Sequence, residues 1–77
     1  MSVEVSTLNQ MQAAYKEAVD QWVAAIREEE ALASVNHSEA EVDAWEAAGF
    51  REEDAREKAK EAKKNYEDAL REKFFSF

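Results

Sequence analysis

Residues 44–59 read AWEAAGFREEDAREKA and hold the one glycine of the 77-residue chain. They also put Glu52 where a helical stripe wants an apolar side chain. If Gly49 ended one helix and a loop opened another, the apolar spacing on its two sides would share no phase. Yet, counting from Trp45, an unbroken spacing of three and four runs through Ala48, Glu52, Ala55, Ala59, Ala62, Tyr66, Ala69 and Lys73. Leu70 and Phe74 lie beside that stripe. A competing signal is present, since Gly49 suits a helix C-cap and Glu52, Glu53 and Asp54 suit a first turn. A mid-helix glycine costs only about 1 kcal/mol relative to alanine, which packing can offset. The surviving phase predicts one helix over about 39–74, with a bend allowed at Gly49.

Upstream, Leu8, Met11, Tyr15, Ala18, Trp22 and Ala25 recur at the same spacing, with Val19, Val23 and Ile26 beside them. This is an amphipathic helix. Ser6 or Thr7 suits its N-cap, and its expected range is about 6–34. The pattern fades at ASVNHSEAE, residues 33–41. Asn36 and His37 fit a turn at about 35–38, and Ser38 followed by Glu41 reads as a capping box for the second helix.

The expected fold is all-α: a single antiparallel two-helix hairpin over 1–77. Facing residues should have indices summing to about 73–74. Tyr15 then meets Ala59 and Val19 meets Ala55, large against small, as close packing favours. Leu8 meets Tyr66, and Trp22 faces Glu52. Phe74, Phe75 and Phe77 are placed to cover Val3, Val5 and Leu8. Two helices leave a flank of each apolar face open, and such a patch usually marks an interface. Two hairpins pairing into a twofold four-helix bundle would cover it, so a homodimer is expected. Its combined core and dimer face comprises Leu8, Met11, Tyr15, Val19, Trp22, Val23 and Ile26 on the first helix. On the second it comprises Trp45, Ala55, Ala59, Ala62, Tyr66, Leu70 and Phe74. Trp22 and Trp45 fall on the inward stripes and read as core before interface anchors.

Net charge is −8 and unevenly placed. Residues 1–38 carry −4, residues 39–54 carry −6 and residues 55–77 carry +2. The acid gathers at the turn end of the hairpin. Such a balance disfavours general nucleic-acid binding and suits attraction to a basic partner. With no cysteine, disulfides and thiolate metal sites are excluded. No run of about 18 apolar residues is present to span a membrane. MSVEVSTLNQ lacks the basic start and apolar core of a signal peptide. A cytoplasmic location follows as the default.

Glu29, Glu30, Glu41 and Glu52 lie on or near the inward faces. Inward glutamates occur in di-iron bundles, but those add a Glu-x-x-His motif, and three residues before the sole histidine, His37, stands Ser34. A hard cation such as Ca²⁺ or Mg²⁺ is the remaining metal reading. Against it stands pairing with Arg27, Arg51 or Arg56. His37 reads as an exposed turn residue. Arg56, Lys58, Lys60, Lys63 and Lys64 lie near Tyr66 and could meet a phosphate backbone, but Glu57 and Glu61 interrupt them, so a mixed solvated face is expected. Glu57–Lys60 and Glu61–Lys64 are oppositely charged pairs at a spacing of three. No nucleophile–base pair, phosphate loop or dinucleotide fingerprint is present. Neither an enzyme nor a cofactor is expected.

The sequence therefore points to a small acidic helical protein that works by protein–protein interaction as a homodimer. The alternative is an acidic inhibitor that mimics DNA and occupies a basic nucleic-acid-binding groove. Its contact surface would be Glu39, Glu41, Asp43, Glu46, Glu52, Glu53 and Asp54. Divalent-cation binding by the inward glutamates is a third reading.

Overall fold

A computed structural model describes residues 4–33 and 37–75. Residues 35 and 36 of the expected turn, together with Val3 and Phe77, lie outside the described residues. Two helices account for nearly all the rest. Helix α1 runs Val5–Ala33 and helix α2 runs Glu39–Phe75, and the two pack together as a hairpin. The long dimension of the molecule is 56 Å, with 18 and 12 Å across. At 1.5 Å per residue, the 37 residues of α2 span about 56 Å. One helix thus runs the length of the molecule, through Gly49.

Each helix starts on a recognisable device. The Leu8 N–H donates to the Glu4 carbonyl at 3.1 Å, which makes Glu4 the N-cap, two or three residues ahead of Ser6 and Thr7. Helix α2 begins as its capping box predicts. The Val42 N–H donates to the Ser38 carbonyl at 3.0 Å and the Glu41 N–H to Ser38 Oγ at 3.2 Å. Ser38 Oγ in turn donates to Glu41 Oε1 at 3.0 Å.

The buried residues among those described are Leu8, Ala48, Ala59 and Ala69. Three alanines in this set let the backbones approach closely, but they remove little apolar area from water. The larger seam residues Met11, Tyr15, Trp22, Leu32 and Tyr66 are only partly covered. Trp45, at the turn end of the seam, is exposed.

The far end departs from expectation. Phe74 and Phe75 are 66% and 62% exposed, and Val5 is exposed too, so most of each ring faces solvent although Leu8 itself is buried. Phe74 and Phe75 stand one and two positions past Lys73, which carries the seam phase. A rotation of 100° per residue therefore turns them off it.

Packing around Gly49 shows why the helix tolerates it. A Cβ built there would meet Glu29 Oε1 at 3.5 Å and Cδ at 4.0 Å, ordinary contacts with the end of a flexible side chain. No close backbone approach requires the glycine. Gly49→Ala should therefore add about 0.5–1 kcal/mol of stability and raise the midpoint of thermal unfolding by several degrees. Circular dichroism melts check this, and a lowered midpoint would show that the Glu29 carboxylate cannot yield.

Candidate functional site

Glu52 sits in the seam of α2 with its side chain 15% exposed. A carboxylate at such a position is costly unless its oxygens are engaged. The Trp22 Nε1–H of α1 donates to Glu52 Oε1 at 2.8 Å. Glu52 Oε2 lies 3.7 Å from Arg56 Nη2, one turn further along α2. Arg56 Nε is buried without a hydrogen-bond partner. Trp22, Glu52 and Arg56 thus form one cross-helix polar knot among alanines. Both Glu52 oxygens are occupied, and among the described residues no three His, Cys, Asp or Glu side chains gather as metal ligands.

The other carboxylates on or near the facing sides of the helices differ. Glu28 forms an ion pair with Arg51 across the helices. Glu29 lies over Gly49, Glu41 belongs to the cap, and Glu30 is exposed. The Trp22–Glu52 indices sum to 74, as expected. The Glu28–Arg51 and Glu29–Gly49 contacts sum to 79 and 78, about one helical turn further on. The register expected from the sequence is therefore met at the knot but not toward the turn end.

Two flanks run beside the seam. One is polar and includes Gln21, Glu28, Arg51, Asp54 and Lys58 around Ala24, Ala25 and Ala55. The other opens into a cleft of about 210 Å³ formed by Tyr15, Val19, Trp22, Ala59, Lys60 and Lys63. Val23 and Ile26 continue from Val19 along α1 at spacings of four and three, which keeps them on this second flank. Each is 39% exposed. Together the three side chains make an apolar strip on a surface otherwise rich in charge.

The outer face of α2 carries a different feature. Glu39, Asp43, Glu46 and Glu53 are all exposed and follow one another at helical spacings. Between the last two, in the same row, stands Phe50 at 72% exposure. Phe50 was not singled out from the sequence, although its position off the 45–48–52–55 stripe signals an outward side chain. The acidic set expected from the sequence divides accordingly. Glu52 lies inside, Glu41 is taken by Ser38, and Asp54 Oδ2 lies 3.1 Å from Lys58 Nζ.

The basic stretch is similarly paired. Lys60 meets Glu57, while Lys63 and Lys64 meet Glu67 and Asp68 one turn away. Glu57–Lys60 follows the expected spacing of three, but Lys64 turns to Asp68 and not to Glu61. These are exposed pairs, worth little individually. His37 is exposed. No described helix is long and apolar enough to cross a membrane. The chain matches no protein family, curated protein or solved structure with which it was compared.

Trp22→Phe keeps a ring in the seam and removes the donor to Glu52. It should destabilise the fold by about 1–3 kcal/mol, the usual result of leaving a partly buried acceptor short of a partner. In a Glu52→Ala background the same change should cost markedly less. Urea melts of the four chains give the coupling directly, and equal costs in both backgrounds would show that the bond contributes nothing.

Proposed function

We propose that this protein is a non-enzymatic interaction module that self-associates, two hairpins pairing through the flank that carries Val19, Val23 and Ile26. The observation that carries the reading is surface area. A compact monomer of 8.8 kDa should expose about 4,800 Å². This chain exposes 5,870 Å². The excess of roughly 1,100 Å² exceeds the ~800 Å² that each partner loses in a standard interface. Its radius of gyration is 17.3 Å, where a compact chain of this length would have about 11–12 Å. Rod shape alone raises both values, but the rod also leaves Val23 and Ile26 half in water. A second hairpin laid along that flank completes a four-helix bundle and thickens an alanine core that is slight on its own.

A second reading is carried by the outer row Glu39, Asp43, Glu46 and Glu53, which suits a basic groove of the kind that binds nucleic acid. The two readings predict opposite salt responses. Contact through the acidic row weakens steeply as salt rises, whereas apolar pairing persists.

Sedimentation equilibrium of the full chain at micromolar concentration should return twice the chain mass, little changed between low and high salt. Ile26→Asp places a charge in the apolar strip and should shift the equilibrium to monomer with loss of thermal stability. A wild-type chain that stays folded and monomeric under these conditions overturns the reading.

A further inference from the structure

The flank of α1 has a symmetry of its own. Reading along it, Lys16, Val19, Val23, Ile26 and Glu30 follow at spacings of three and four and share one face. Lys16 stands seven residues before Val23 and Glu30 seven after it. Both are exposed. Neither is engaged in an ion pair or hydrogen bond among the described residues. The face therefore has an apolar centre, a cation at one end and an anion at the other, equally spaced.

A surface of this kind complements a copy of itself turned end for end. We infer that the two hairpins pair antiparallel, turn end to terminal end, about a twofold axis passing beside Val23. The inference rests on the self-association proposed above and adds its geometry. In this arrangement Val23 meets its own copy, Val19 meets the partner's Ile26, and Lys16 meets the partner's Glu30. The cleft supports the same pairing. The partner's Ile26 arrives over Val19, at the mouth of the 210 Å³ space between Tyr15 and Trp22. The partner's Glu30 then approaches Lys60 and Lys63 at the rim of that cleft as well as Lys16.

Charge along the whole rod argues the same way. Residues 39–54 carry −6 and residues 55–77 carry +2. With α1 counted, the turn half of the hairpin (residues 21–54) carries −8 and the terminal half (residues 1–20 and 55–77) is neutral, so antiparallel pairing lays the acidic half of each hairpin over the neutral half of the other. Parallel pairing about an axis along the rod would lay acid on acid, Lys16 on Lys16 and Glu30 on Glu30. Like charges held together across an interface oppose association and select against that orientation.

The chain has no cysteine, so disulfide trapping in the 77-residue chain is unambiguous. In an antiparallel pair the two Glu30 positions lie about 21 Å apart, since each is about 10 Å from the axis. A disulfide needs Cα atoms within about 7 Å. Val23→Cys should form a linked dimer on mild oxidation. Glu30→Cys alone and Lys16→Cys alone should not, whereas an equimolar mixture of the two should yield the mixed species. Far-ultraviolet circular dichroism confirms that each variant is folded.

Charge exchange gives a second measurement. Lys16→Glu and Glu30→Lys should each weaken the dimer, by roughly 5- to 30-fold in Kd, because each places two like-charged pairs across it. The double exchange should restore wild-type affinity. If the wild-type chain dimerises but Glu30→Cys links to itself, or the double exchange fails to rescue, antiparallel pairing is overturned while self-association stands. If the wild-type chain is a folded monomer and Val23→Cys never links, self-association itself falls, and this inference with it.

Discussion

The hydrogen bond from Trp22 to Glu52 is the contact on which the register of the hairpin depends. The seam of α2 presents Ala48, Ala55, Ala59, Ala62 and Ala69 to its partner, and one methyl group looks much like the next. A slide of α1 by a whole heptad would keep apolar stripe against apolar stripe at little cost. What such a slide would lose is the 2.8 Å bond between indole and carboxylate, together with the exposed Glu28–Arg51 pair, leaving the Trp22 N–H without its acceptor and Glu52 with Arg56 alone. Polar residues in helical seams are known to fix register and orientation in this way, at some cost in stability. The out-of-pattern glutamate of residues 44–59 is thus explained as a structural pin. The nearby Arg56 balances its charge without replacing the tryptophan.

The same alanines that allow close approach also set the limits of the fold. With Leu8 the one buried residue larger than alanine among those described, the hairpin gains little from burial of its own side chains. The tyrosines, Trp22, Met11, Val23 and Ile26 retain surface that a second layer of helices could cover. A slight core and an open flank are therefore one property seen twice. Close backbones leave the large side chains of α1 no depth to sink into.

Much of this was legible in the sequence because helical phase survives through Gly49. The stripe Ala48, Glu52, Ala55, Ala59 could not have continued across a broken helix, and α2 is continuous. The capping box at Ser38 and Glu41 was readable for the same reason: its spacing has one geometric meaning. Other features were not. A glutamate carbonyl at Glu4 starts α1, and backbone acceptors leave no mark on residue type. Phe74 and Phe75 looked like cover for the terminal end because of their size, but angular position decides exposure, and theirs lies off the seam. The pairs Asp54–Lys58, Lys63–Glu67 and Lys64–Asp68 were present at spacings of four but were obscured by like-charged pairs at the same spacing. Glu52 was legible as inward and as facing Trp22. That both its oxygens would be occupied needed the rotamers.

Phe50 stands apart from all of this packing. It lies in the row of Asp43, Glu46 and Glu53 on the outer side of α2, away from the flank that bears Val23. An assembly that covers that flank leaves the ring in solvent. A twofold pair would then display two identical aromatic-and-acidic epitopes, each carried on the continuous helix α2. Weak recognition of each by a multivalent target would be amplified by avidity, provided that the target's own binding points match the fixed span between them.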